Sequence, residues 1–202
     1  MVKNIIFDIG NVLVSFRWRE LMGDLGIPEE IQEVFKKTVF ESPWWGELDH
    51  GLREESEVIS LLREDNKGYY DEFDLVWENR GRLVEPYSYA KPWIDELKAK
   101  GYRVYLLSNY PRDLFKMHEE SGCFPFADSV DGRVVSGFVK MVKPNEDIYE
   151  YLVDKFALKA DECVFIDDRE DNVETARRLG MKGIVFQNYE QARGEFEKML
   201  LL

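Results

Sequence analysis

The stretch IIFDIGNVLV, residues 5–14, decides the fold. Ile5, Ile6 and Phe7 form an unbroken apolar run, the pattern of a strand buried on both faces in a parallel sheet. The run ends at one acid, Asp8, and the Gly10-Asn11 pair turns the chain. A carboxylate at the carboxyl end of such a strand stands where open α/β sheets bind ligands. Taken singly it says little, because strand-end acids ordinarily cap turns or face water. Its weight comes from the residues that follow in order. Ser108 closes a second apolar run, YRVYLLSN. Lys143 lies in VKPNEDIY, ahead of a helix. Asp167 and Asp168 close a third run, ECVFIDDRED.

The rest of the chain supports this frame. From residue 84 onward helical and strand patterns alternate. WIDELKAKG is a helix stopped by Gly101, RVYLLSN a strand, and PRDLFKMHEESG a helix. PNEDIYEYLVDKF is a helix, CVFIDD a strand, DNVETARRLG a helix ended by Gly180, and GIVFQN a strand. The tail EQARGEFEKMLLL makes a last amphipathic helix. Strands separated by crossover helices imply a parallel sheet covered on both faces. Between about Phe16 and Leu83 the pattern is helical with few strand signals. PEEIQEVFKKTVF, EESEVISLLRED and YYDEFDLVWENRGRL read as helices, and ESPWWGELDHG as an aromatic, glycine-containing loop. The expected fold class is α/β: a Rossmann-like parallel core from residues 1–14 and 84–202, interrupted at 15–83 by an all-helical cap.

The ordered set of strand-end Asp8, strand-end Ser108, Lys143 and the acid pair Asp167-Asp168 resembles the haloacid dehalogenase-like (HAD) superfamily of hydrolases. The resemblance covers nearly the whole chain. The string DIGNV is most similar to the DLGNV-type branch, which includes bacterial sugar-phosphate phosphatases such as an α-glucose-1-phosphatase. The resemblance implies a nucleophilic Asp8 that forms an aspartyl-phosphate, and Mg²⁺ held by Asp8, the Gly10 carbonyl, Asp167 and Asp168. Asp168 is the favoured direct ligand, with Asp167 binding directly or through water. It also implies that Ser108 and the Asn109 backbone bind phosphate, that Lys143 neutralises charge, and that Asn172 supports the acid loop. An Asp-Asp pair before a helix is otherwise an ordinary amino-terminal cap.

One position departs from the family pattern. Many HAD phosphatases carry a second Asp two residues after the nucleophile as acid and base, and this chain has Gly10 there. His50, in the loop after Trp44 and Trp45, is a candidate replacement whose ordinary pKa suits proton transfer, although a loop histidine is more simply exposed. The two tryptophans either contact substrate or anchor the insertion. Arg17 and Trp18 stand at the junction, and His118 reads as a surface residue.

The expected activity is Mg²⁺-dependent hydrolysis of a small phosphorylated metabolite such as a sugar phosphate. A 2-haloacid dehalogenase, a phosphosugar mutase and a non-catalytic binding protein are the alternatives. The first needs no late acid pair, and the second depends on the acid that Gly10 replaces. A formal net charge of -13 disfavours nucleic acid and anionic membranes as partners. Met1-Val2-Lys3 leads straight into the first strand and no run approaches a membrane span, so a cytoplasmic protein, monomer or homodimer, is expected. Cys123 and Cys163 read as reduced apolar fillers.

Overall fold

The computed structural model describes residues 1–200, so the last two residues of the expected tail helix lie outside the described part. Its centre is a five-stranded parallel sheet. The strands are β1 (Asn4–Phe7), β4 (Arg103–Ser108), β5 (Gly132–Val135), β6 (Cys163–Asp167) and β7 (Lys182–Val185), in the order β5-β4-β1-β6-β7. Two further strands, β2 (Val14–Phe16) and β3 (Val84–Pro86), pair antiparallel with each other.

Alternation along the buried strands builds a three-layer core, because successive side chains point to opposite faces. Ile5, Phe7, Val104, Leu106, Val164 and Ile166 enter one apolar cluster. The intervening Ile6, Tyr105, Leu107, Cys163 and Phe165 enter another. The first face is covered by α6 (Ala90–Ala99), α7 (Arg112–Glu120) and α11 (Tyr189–Leu200). The short α8 (Ser136–Val139) follows β5, and the second face is covered by α9 (Glu146–Lys155) and α10 (Glu170–Arg178). This is the α/β parallel architecture read from the sequence.

The chain leaves β1 toward β4 on one side, while β6 leads to β7 on the other, so the connections diverge between β1 and β6. That divergence opens a crevice at the carboxyl ends of the two strands. Register places the acids in it: Phe7 is level with Ile166, and the Asp8 N–H donates to the Ile166 carbonyl at 2.9 Å.

Residues 17–83 form helices with their own apolar cluster, which includes Leu21, Phe35, Leu48, Val58, Leu62 and Phe73. They are α1 (Trp18–Asp24), α2 (Glu29–Phe35), α3 (Pro43–His50), α4 (Glu55–Asp65) and α5 (Tyr70–Glu78), and α2 continues into a wider π-type turn at Lys36–Phe40. The β2–β3 ribbon ties the two ends of this insertion together, assisted by the Arg17 N–H on the Leu83 carbonyl at 2.7 Å.

Three local features differ from the sequence expectations. The 41–51 loop is the helix α3: Ser42 caps it by accepting the Trp45 N–H at 3.3 Å, Pro43 opens it, and Gly51 ends it at φ 68°. The short strands β2, β3 and β5 have too few residues to show periodicity. His118 is buried rather than at the surface, because its ring bridges the Tyr110 hydroxyl (2.6 Å) and the Arg80 carbonyl (3.0 Å).

Candidate active site

The loop after β1 is set by two local contacts. Asn11 takes φ 54°, a left-handed conformation that asparagine tolerates. Its side-chain amide donates to Asp168 Oδ2 at 3.3 Å and its Oδ1 accepts the Phe16 N–H at 3.3 Å. The Asp8 loop is thereby joined to the β6 acids and to β2.

Asp8, Asp167 and Asp168 each offer a carboxylate oxygen within 4.8 Å of the others. Lys143 lies among them with its side chain 1% exposed, 2.9 Å from Asp8 Oδ1 and 2.6 Å from Asp167 Oδ2. The Asp167 contact is a hydrogen bond and the Asp8 contact a close ion pair. Asp167 is fully engaged: Asn172 Nδ2 donates to both its oxygens at 2.9 and 3.0 Å, and the Arg169 N–H donates to Oδ1 at 2.8 Å. It therefore acts as the fixed counter-charge that aims Lys143. Asp168 is the less committed acid of the pair.

Three carboxylates against one ammonium leave an excess of negative charge in a buried place. Burial pushes the Asp8 carboxyl up to about 7; Lys143 opposes this, while Asp167 and Asp168 add to it. Asp168 is raised by burial and by Asp167. Burial alone would lower Lys143, but Asp8 and Asp167 outweigh it and hold the ammonium above its ordinary value. A hard divalent cation suits such an oxygen cluster. The open space beside Gly10, where a Cβ would meet nothing within 4 Å beyond its chain neighbours, fits one too.

Asp8 and Asp168 line a cavity of about 250 Å³, with Asp167 buried behind it. Its walls include Phe16, Trp45, Leu83, Val84, Tyr110 and Leu114, together with Asp49. The sequence-selected residues divide. Asp8, Gly10, Asn109, Lys143, Asp168, Asn172 and Trp45 line the cavity. Ser108 is buried at the end of β4, close enough to Asp8 to favour its charged form. Asn109 exchanges two hydrogen bonds with the Lys143 backbone, 2.9 Å from Nδ2 to O and 2.8 Å from N to Oδ1, which fixes the lysine's approach.

Trp44, His50, Arg17 and Trp18 do not line it. Trp44 packs within the insertion and donates Nε1–H to Asp65 Oδ2 at 2.7 Å. Arg17 pairs with Glu85 at 2.8 Å, and Trp18 stacks on Phe40. Asp49 is the residue that reading the sequence passed over. Trp45 and Asp49 are four apart, hence on one face of α3, and the Ser42-Pro43 start with Gly51 at the end is the signal that would have revealed that face.

A haloacid dehalogenase-like hydrolase family matches this chain over residues 2–180, so the chain belongs to that family. It is a hydrolase and stands with the family's phosphatases. The sesquiterpene phosphatase astK of Aspergillus oryzae is 26% identical over 90% of this chain and 88% of its own length. Phosphatase MT3486 of Mycobacterium tuberculosis is 25% identical over 95% and 90%. The HAD-family enzyme bt-2542 of Bacteroides thetaiotaomicron, solved as a magnesium complex, superposes with a TM-score of 0.71 at 25% identity. That match covers 96% of this chain and 98% of the other. No described helix is long and apolar enough to cross a membrane.

Proposed function

We propose that the protein is an Mg²⁺-dependent phosphatase that hydrolyses a small phosphorylated metabolite through an aspartyl-phosphate on Asp8. The observation that carries this reading is the buried set of Asp8, Lys143 and Asp167, with Asp8 and Asp168 lining a cavity. Asp8 attacks phosphorus. Lys143, held by Asp167 and by the Asn109 clamp, neutralises charge on Asp8 and on the phosphoryl oxygens. The Ser108 hydroxyl and the Asn109 backbone N–H bind a phosphoryl oxygen. Asn172 keeps Asp167 from turning toward the cavity. Asp8, the Gly10 carbonyl and Asp168 would hold the ion directly, with Asp167 beside it; bound there, Mg²⁺ offsets the carboxylates and the phosphoryl dianion.

The resemblance to the DLGNV branch suggests a sugar phosphate. The cavity wall argues for a different leaving group. Phe16, Leu83, Val84 and Leu114 form an apolar stretch of it with no side-chain partner for hydroxyl groups, and an unpaired buried hydroxyl is costly. We therefore favour the phosphate ester of a small apolar alcohol, a preference in keeping with the name of the Aspergillus relative. Residues 15–83 act as a cap that supplies Phe16, Trp45 and Leu83 to the cavity wall. Phosphate release from paired alkyl, prenyl and sugar phosphates, with Mg²⁺ and with EDTA, tests both parts. The account expects metal-dependent release with kcat/KM higher for the apolar esters. A preference for sugars would remove the substrate class, and metal-free halide release from a 2-haloacid would replace the reaction.

A further inference from the structure

We propose that Asp49, on the inserted helix α3, is the general acid and base of this site, replacing the carboxylate that Gly10 lacks; this rests on the phosphatase reading above. Asp49 shares the cavity with Asp8 and Lys143. Its backbone carbonyl accepts a hydrogen bond from the Ser136 hydroxyl of the core. Its carboxylate has no hydrogen bond or ion pair among the described residues and feels its neighbours only through space. A carboxylate that lines a reaction cavity without a partner, on a helix end fastened to the core, is placed for proton transfer rather than for holding the fold.

Two more contacts fix that helix end. Gly51 approaches Gly137 so closely that a Cβ on Gly51 would stand 2.7 Å from the Gly137 carbonyl oxygen. Glu55, at the start of α4, accepts the Asp113 N–H of α7 at 2.7 Å. His50, one residue on, does not line the cavity. The charges around Asp49 are Asp8 at the end of β1, Lys143 ahead of α9 and Arg169 ahead of α10. Burial raises its carboxyl to about 7 and Asp8 adds to this, while Lys143 and Arg169 oppose it. The carbonyl end of α3 disfavours a negative charge in the same sense. A carboxyl poised near neutrality can give and take a proton at one pH.

The proton balance closes over one cycle. An Asp8 oxygen bonds to phosphorus as the phosphorus–leaving-oxygen bond breaks, and protonated Asp49 gives its proton to that oxygen, releasing the alcohol. Asp49, now a carboxylate, takes a proton from water as the water oxygen bonds to phosphorus. The phosphorus–Asp8 bond breaks, hydrogen phosphate leaves, and Asp49 is again protonated.

The test compares Asp49→Asn with wild type on an n-alkyl phosphate, which needs a proton donor, and on p-nitrophenyl phosphate, which does not. The expected result is a loss of about a hundredfold or more in kcat/KM for the alkyl ester, with little change for the nitrophenyl ester. The kcat for the latter should fall while phosphorylated Asp8 accumulates, because water has lost its base. Gly10→Asp in the Asp49→Asn background places its Cβ in open space and should restore alkyl hydrolysis at least tenfold. An equal loss of kcat/KM on both esters that Gly10→Asp does not restore, or no loss on the alkyl ester, overturns the assignment. Wild type that releases phosphate from neither ester would instead remove the phosphatase reading itself.

Discussion

At the residue scale, the chemistry turns on a lysine placed between acids that repel one another. Replacing Lys143 by Met keeps much of the side-chain volume but leaves Asp8 and Asp167 buried without their cation. Removing one partner of a buried ion pair typically costs about 3–5 kcal/mol. Lys143→Met should lower the melting temperature and reduce kcat by roughly a hundredfold or more, and Mg²⁺ should recover part of the stability but little of the rate. Equal melting of the two proteins without metal would show that the lysine does not hold the acids together. Asp8 and Asp168 are legible in the sequence because each follows an apolar run, so strand position and chemistry coincide, whereas Lys143 is legible only through its place between Ser108 and the acid pair. The Asn109 clamp on Lys143 was not legible: it joins residues 34 apart through backbone groups, which leave no trace in side-chain pattern.

At the element scale, α3 decides what the cavity wall is made of. The core strands were readable because long apolar runs admit only a buried parallel strand. Helix α3 was missed because its tryptophans and glycine suggested a loop, whereas Ser42, Pro43 and Gly51 mark a short capped helix. As a loop, Trp44, Trp45 and His50 were equivalent; as a helix, Trp45 and Asp49 share the cavity face and Trp44 belongs to the insertion's interior. Trp45→Ala should therefore raise KM for apolar esters about tenfold, equivalent to about 1.4 kcal/mol, and also lower the melting temperature, because Trp45 packs on Phe16 and Phe40. Trp44→Ala should lower the melting temperature and leave substrate preference unchanged. The reverse pattern in steady-state kinetics would contradict the assignment of faces. Gly51→Ala strains a left-handed residue and meets the Gly137 carbonyl, so it should destabilise by about 1–3 kcal/mol and raise KM by displacing the end of α3. Unchanged KM in a stably folded Gly51→Ala protein would mean that this contact does not position the wall.

At the scale of the whole molecule, the sheet order brings the ends of β1 and β6 together, and the insertion closes over them through Ser136, Glu55 and His118. His118 links this closure to pH. Burial lowers its pKa below 6.5, so the folded state binds fewer protons than the unfolded chain in the window just below 6.5. Its stabilising effect is complete above about pH 6.5 and is lost as pH falls below it. Thermal melts from pH 8 to 5 should show this acid-side slope, reduced in His118→Gln; identical slopes would exclude the imidazole as its source. The acid cluster makes metal and fold interdependent as well. An ion at about 100 times its Kd should stabilise by about 2.7 kcal/mol, and Asp168→Asn should abolish most of that gain. The central claim is that Asp8 carries the phosphoryl group. Acid-quenched enzyme, taken during turnover with Mg²⁺ and digested for mass spectrometry, should contain a phosphorylated peptide that includes Asp8, absent from Asp8→Asn. Steady phosphate release with no such peptide, or undiminished release by Asp8→Asn, would contradict the account.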